Sequence, residues 1–325
     1  MKALIIGYGS IGKRHTENLL KKYNFEVIVV SSKTRKSQNK KIKFFESIEK
    51  SLKENPDFAI ISNTTNEHVK VASILVNNGI DVFIEKPLSN SLKGIKYLLE
   101  KTKRNKNVTL MGCNLRFNPC IKKIKELLEK KSIGKIYSVQ VENGSFLPDW
   151  HPNEDVSKSY VGKNGLGGGV ILTCIHELDY LYWFFGDISE VFAISERKSR
   201  LDIETEDFAA ILMKFKNNIT ASVHLDYFQK PNYRSCKIKG EKGIIEWNTD
   251  SNTVQIFEPK NNKWRKELKI KKYDKNYEYE QELDHFVSSV KSRKNTINDL
   301  SQGKYVLEVA LGVKKSAKKN KIIKI

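Results

Sequence analysis

Lys86 follows the apolar run Val82-Phe83-Ile84 in the triplet Glu85-Lys86-Pro87. A lysine there stands at the carboxyl end of a parallel strand, the edge at which open α/β sheets bind ligands. An ammonium beside a cofactor can hold or protonate a substrate oxygen. A second group with acid–base capacity, His176, lies in the run Val170-Ile171-Leu172-Thr173-Cys174-Ile175-His176-Glu177-Leu178-Asp179-Tyr180, which Gly167-Gly168-Gly169 opens and which reads as one helix. At helical spacing Ile171, Ile175, Leu178 and Tyr182 form an apolar stripe, and Thr173, His176 and Tyr180 fall on the opposite side. His176 is therefore expected to face solvent or a cleft, and a lone histidine in such a place is more often a solvated or satisfied side chain than a catalyst.

The cofactor that would sit beside Lys86 is announced by Gly7-Tyr8-Gly9-Ser10-Ile11-Gly12, placed between the apolar run Ala3-Leu4-Ile5-Ile6 and a helical pattern through Leu19 and Leu20. The first glycine permits a tight turn, the second lets a pyrophosphate approach the backbone, and the third lets the helix pack on the strand. The phosphate then meets the positive end of that helix. The second strand ends in Ser31-Ser32-Lys33-Thr34-Arg35, with no carboxylate to accept the ribose 2′-hydroxyl bonds of NAD. Hydroxyls and cations suit a 2′-phosphate, so NADP(H) is favoured over NAD(H), against the alternative that Lys33 and Arg35 are solvated loop charges. Asn63-Thr64-Thr65-Asn66-Glu67-His68 follows the strand Phe58-Ala59-Ile60-Ile61 and should line the same crevice, a placement also compatible with helix capping by Thr65 or Asn66. Asn63, Thr64, Thr65, His68, Glu85 and Asn114 complete the expected cofactor contacts.

These groups need a scaffold. Strand patterns near 2–6, 26–31, 57–62, 81–84 and 107–112 alternate with helical ones near 10–22, 66–78 and 91–104. The alternation predicts an α/β Rossmann domain with a doubly wound parallel sheet over residues 1–118. After Asn118-Pro119 a helix near 119–131 leads into a strand over 135–141, and runs near 188–196, 207–215, 219–228, 233–239 and 243–247 follow the glycine-opened helix. The breaks Lys216-Asn217-Asn218 and Gly240-Glu241-Lys242-Gly243 suit hairpins, so residues 119–325 read as an α+β domain with a large, mainly antiparallel sheet, closed by helices near 277–292 and 301–318.

A chain of 325 residues is long enough for two substantial cores. Its formal charge of +20 would suit nucleic acid, but the lysines are scattered over helix faces, without glycine–arginine or aromatic–basic repeats, and no nucleic-acid partner is expected. Four cysteines without C-x-x-C spacing read as reduced thiols of a cytoplasmic protein, with no metal site. The sequence enters a strand at once, and no apolar run approaches membrane-spanning length.

In order, Gly7-x-Gly9-x-x-Gly12, Glu85-Lys86-Pro87, Gly112-Cys113-Asn114-Leu115-Arg116-Phe117-Asn118-Pro119, the triple glycine and His176-x-x-Asp179 resemble the Gfo/Idh/MocA family of glucose–fructose oxidoreductase-like and inositol dehydrogenase-like enzymes over nearly the whole chain. The resemblance implies hydride transfer between NAD(P) and a carbinol or carbonyl carbon of a sugar, cyclitol or related compound. It implies that Lys86 bonds the reacting oxygen and that His176 is the catalytic histidine. It also implies a homo-oligomer, dimer or tetramer, built on the open face of the second sheet. Where many relatives carry an aspartate this chain has Thr173, and its spacing to the histidine is one residue shorter. Thr173 thus joins the catalytic candidates, while Glu177 or Asp179 could supply the missing charge. The stretch Gly144-Ser145-Phe146-Leu147-Pro148-Asp149-Trp150-His151-Pro152 with Ser159-Tyr160 resembles a branch associated with bacterial surface-sugar pathways. Arg116, Trp150, His151, Tyr160 and Asp179 are then the candidate sugar contacts, although Trp150 could equally anchor the loop and Arg116 could be a structural ion-pair partner. Two alternatives stay open: a nicotinamide-dependent epimerase, lyase or hydrolase without net redox change, and a non-catalytic cofactor-binding regulator.

Overall fold

The computed structural model describes residues 1–31, 37–150 and 155–325. In chain order the first elements are β1 (Lys2–Ile6), α1 (Ser10–Tyr23), β2 (Glu26–Val30), β3 (Ile42–Phe45), α2 (Ile48–Leu52), β4 (Phe58–Ile61), α3 (His68–Asn77), β5 (Asp81–Glu85), α4 (Ile95–Asn105) and β6 (Thr109–Gly112). Next come α5 (Pro119–Glu129), β7 (Ile136–Gly144), α6 (Val170–Thr173) and α7 (His176–Phe185). The strands β8 (Ile188–Glu196), β9 (Phe208–Phe215), β10 (Thr220–Asp226), β11 (Tyr233–Gly240), β12 (Gly243–Asn248), β13 (Thr253–Glu258) and β14 (Lys263–Lys269) follow. The chain closes with α8 (Asn276–Ser292), α9 (Leu300–Lys319) and β15 (Ile323–Lys324).

Two compact units result: Met1–Asn114 with Asn276–Leu307, and Leu115–Lys275 with Glu308–Ile325. The first holds a six-stranded sheet in the order β3-β2-β1-β4-β5-β6, with every pairing parallel. Its inner strands are apolar on both faces, as a sheet covered on both sides requires. The strand order reverses between β1 and β4, the switch point at which open sheets bind ligands. The split of the chain at residue 118 differs from these units, because α8 belongs with the first. Its stripe Leu283, Phe286, Val287 and Val290 enters the core formed by Phe58, Phe83 and Leu110, and the Phe286 ring stands edge-on to Phe58 and Phe83.

The second unit carries a nine-stranded sheet, β14-β13-β12-β11-β7-β10-β9-β8-β15. It is antiparallel except where β7 lies parallel to β10. The two anticipated hairpins are present, with Gly240 paired to Gly243 and Lys214 to Thr220. Four strands, β3, β13, β14 and β15, lie beyond those anticipated; β14 is an edge strand whose Lys263, Trp264, Arg265 and Lys266 are exposed, so it lacks the apolar alternation of a half-buried strand. Asn118 starts α5 as its cap, its side-chain oxygen accepting from the Cys120 and Ile121 amides at 2.8 and 3.1 Å with Pro119 in the first turn. Among the described residues no helix is long and apolar enough to cross a membrane.

Candidate active site

The turn after β1 shows the division of labour expected of its glycines. Gly7 has φ +90°, and a Cβ on it would lie 2.7 Å from the Asn63 amide nitrogen. A Cβ on Gly12 would lie 2.1 Å from the Gly7 carbonyl oxygen, so that glycine is what lets α1 close onto the turn. A Cβ on Gly9 would meet nothing within 4 Å, leaving its backbone open to a ligand. Helix α1 has no acidic residue in its first turn and no side-chain cap, so its first amides stay available to an anion. Ser10 and Ile11 form that first turn, and the Tyr8 ring packs edge-on to Phe44. The pyrophosphate of a dinucleotide fits this arrangement.

Around the turn, Ser31 directly follows β2, with its amide bonded to the Phe45 carbonyl at 3.1 Å; Ser32, Lys33 and Arg35 lie outside the described residues. After β4, Asn63 and Thr64 are partly exposed and Thr65 is buried. The side-chain oxygen of Asn63 is buried with no hydrogen-bond partner among the described residues, an acceptor that suits a ligand donor. His68 takes a different place from the one anticipated. It is fully enclosed, with Nδ1 2.9 Å from the Pro87 carbonyl and Nε2 3.2 Å from the Asn63 carbonyl. It ties two loops together and presents no edge to a cofactor. Burial, partly offset by those carbonyls, holds its pKa below the ordinary value.

Lys86 follows β5 directly and is partly exposed. Glu85, at 8% exposure, turns inward, its Oε1 2.7 Å from Nε2 of the buried His15 on α1. Lys86 is thus held from both sides, by Glu85 on His15 and by Pro87 on His68. Asn114 is also buried, its amide donating to Glu278 of α8 at 2.6 Å. His15 and Glu278 were not among the anticipated residues. The signal for His15 was its spacing, four residues after Ile11 and four before Leu19, which puts it on the inward face of α1.

In the second unit the expected single helix is broken. α6 ends at Thr173, Cys174 leaves the helical region at φ −93° and ψ 34°, and α7 begins at His176. The two-sided pattern fails with it: Thr173 and Tyr180 are as buried as Ile171, Ile175 and Leu178, and His176 alone of its side is partly exposed. Thr173 adjoins the buried phenol of Tyr227, whose pKa burial raises well above the usual value. Arg116 and Asp179, anticipated as sugar contacts, close on each other instead. Arg116 Nε and Nη2 donate to the two Asp179 oxygens at 2.8 Å each, and both residues are buried, so neither offers an edge to a ligand. Glu177, fully buried, meets Arg234 of β11, with Oε1 2.8 Å from Nε. Trp150 anchors its loop, donating from Nε1 to Ser145 at 3.0 Å with its ring edge-on to Tyr227. Tyr160 is partly exposed in a short turn that Ser159 caps, and His151 lies outside the described residues.

Comparison with known proteins places both units. An "oxidoreductase family, C-terminal alpha/beta domain" matches residues 125–325 and an "oxidoreductase family, NAD-binding Rossmann fold" matches residues 1–113. The chain is 26% identical to a myo-inositol 2-dehydrogenase of Thermotoga maritima, across 100% of this chain and 98% of that protein. It is 24% identical to a levoglucosan dehydrogenase of Pseudarthrobacter phenanthrenivorans, across 61% and 57%. Among solved structures, a myo-inositol 2-dehydrogenase from Lactobacillus plantarum superposes with a TM-score of 0.84 at 19% identity, covering 100% of this chain and 99% of that one. The WlbA dehydrogenase from Bordetella pertussis, in complex with NADH and UDP-GlcNAcA, gives 0.85 at 20% identity over 100% and 97%. By the match of both domains, this chain belongs to the Gfo/Idh/MocA oxidoreductase family.

Proposed function

We propose that the chain transfers a hydride between a nicotinamide dinucleotide and a carbinol or carbonyl carbon of a sugar or sugar derivative, with Lys86 and His176 as its acid–base pair. The observation that carries this reading is the open backbone at Gly9, between two glycines that cannot be replaced without collision, in the sheet whose β5 delivers Lys86. The nicotinamide, when bound, accepts or supplies the hydride. Oxidation of a carbinol also requires loss of the hydroxyl proton. Neutral His176 takes that proton, and the Lys86 ammonium stabilises the charge growing on the oxygen; in reduction the roles reverse. Thr173 contributes no negative charge to His176.

Several finer features belong to the same proposal. NADP(H) is preferred to NAD(H), because Ser31, Ser32, Lys33 and Arg35 include no carboxylate for a ribose 2′-hydroxyl. The substrate class is supported by the polyol and anhydrosugar named in the two sequence relatives. The nucleotide sugar held by the WlbA structure supports a surface-sugar role, for which Tyr160 and His151 are the remaining anticipated contacts. A second copy of the chain covers the open sheet face, where Ile194 and Leu212 are 48% and 52% exposed. The setting is the cytoplasm.

The test is turnover with NADPH and NADH across a panel of sugars, cyclitols, nucleotide sugars and their keto forms, followed by absorbance of the reduced nicotinamide. Lys86→Met should lower kcat by about 100-fold or more on the best substrate. Unchanged turnover in that variant sinks the assignment. Tight cofactor binding with no turnover across the panel identifies a regulator, and substrate conversion without net cofactor consumption identifies an epimerase or lyase.

A further inference from the structure

Helix α7 begins afresh at His176. Across the interruption the Glu177 amide reaches the Cys174 carbonyl only at 3.5 Å, and the next regular bond, from the Asp179 amide to the Ile175 carbonyl, lies beyond His176. The position from which the His176 side chain projects therefore depends on whatever fixes the first turn of α7. Two side chains of that turn are buried carboxylates. Asp179 is gripped by Arg116 through two bonds of 2.8 Å. Glu177, the immediate neighbour of His176, is 0% exposed and meets Nε of Arg234 at 2.8 Å. Arg234 lies two and four residues before Cys236 and Ile238, both fully buried, so it projects from the covered face of the sheet toward α7.

We propose that the Glu177–Arg234 ion pair is a positioning device for His176, replacing by geometry the orienting work of the carboxylate that Thr173 lacks. The proposal rests on the acid–base reading of His176. It excludes the simpler idea that Glu177 lends a free negative charge to the imidazole, because the guanidinium in contact neutralises it. Thr173 cannot supply that charge either, and the phenol it adjoins is kept protonated by burial. Pinning the residue next to His176 fixes the backbone that carries the imidazole without adding charge to it. Tyr180, one turn further on, is buried beside Glu177, Arg234 and Cys236, so the anchor is enclosed on its inner side.

Removing one partner strands a buried charge and endangers folding. The informative variant is therefore the charge-neutral Glu177→Gln/Arg234→Gln, compared with the parent, with His176→Ala, and with the two changes combined. Action through His176 predicts that the neutral pair lowers kcat by about tenfold or more in the parent, with NADPH affinity held within about twofold. In the His176→Ala background the same change should alter kcat by less than about twofold, since positions acting as one unit are non-additive. A folded pair variant with parental kcat overturns the proposal, and so does an equal loss in both backgrounds, which is what a merely structural role would produce. If His176→Ala itself keeps parental kcat, both the proposal and the reading beneath it fail, and that single variant identifies this case.

Discussion

Gly9→Ala separates cofactor binding from folding more sharply than any other single change. The Gly9 backbone has φ −77° and ψ −163°, which alanine adopts without strain, and the added methyl meets no atom within 4 Å. Stability without ligand should therefore stay within about 0.5 kcal/mol of the parent, or rise slightly as the unfolded chain loses freedom. With a pyrophosphate lying against the Gly9 backbone, the same methyl occupies the ligand's place, and a loss of at least tenfold in affinity, about 1.4 kcal/mol, is expected. Gly12→Ala is the matched control. Its Cβ would stand 2.1 Å from a backbone carbonyl and 2.9 Å from Ser62 Oγ, so it should cost about 1–3 kcal/mol of stability whether or not cofactor is present. Thermal unfolding of the ligand-free proteins and fluorescence titration with NADPH read the two quantities independently. Parental NADPH affinity in Gly9→Ala would refute the placement of the pyrophosphate over this turn.

Further outcomes follow from the same geometry. NADPH should bind at least about tenfold tighter than NADH, a difference of about 1.4 kcal/mol measurable by competition, and tighter NADH binding refutes the 2′-phosphate reading. Arg116→Met should cost about 3–5 kcal/mol in denaturant unfolding because it leaves Asp179 charged and enclosed, whereas Arg116→Met/Asp179→Leu should recover most of that; equal losses would show that the pair is not what holds α7. His68, held below its ordinary 6.5 by burial, is neutral in the fold while the unfolded chain takes up a proton near 6.5. Its contribution is complete above 6.5 and is lost as the pH falls from there toward the lower folded value. Stability curves of the parent and His68→Gln should therefore converge as the pH falls below 6.5, and parallel curves refute the assignment.

Much of this arrangement is readable in one dimension. Parallel strands buried on both faces appear as unbroken apolar runs, so β1, β2, β4 and β5 and the turn between β1 and α1 stand out with Lys86 in place. What is not readable depends on partners distant in sequence. The stripe of α8 announces a buried face and says nothing of which core receives it. Arg116 and Asp179 lie 63 residues apart, and their burial against each other takes two anticipated sugar contacts out of reach at once. The break at Cys174 is silent because Thr173, Cys174 and Ile175 continue an apolar pattern that serves two short helices as well as one long one. β14 hides for the opposite reason, since its exposed basic side chains interrupt the alternation that marks a strand.

One construction recurs in the two units. Lys86 and His176, the residues expected to meet the reacting oxygen, are each partly exposed, and each has a glutamate as its direct neighbour in the chain. In both cases that glutamate turns inward to a basic partner on another element: Glu85 to His15 of α1 at 2.7 Å, Glu177 to Arg234 of β11 at 2.8 Å. Neighbouring residues on a strand point to opposite sides, and on a helix they diverge by about 100°. A buried anchor beside such a residue therefore fixes its backbone while its own side chain points another way. On the proposed roles, the anchors would let Thr173 be tolerated. A carboxylate at that position would both orient and charge the histidine, whereas the proposed action of the Glu177–Arg234 pair would supply only the orientation. In the proposed reaction His176 would take its proton beside a Glu177 already neutralised by Arg234, and the Lys86 ammonium would support the growing alkoxide.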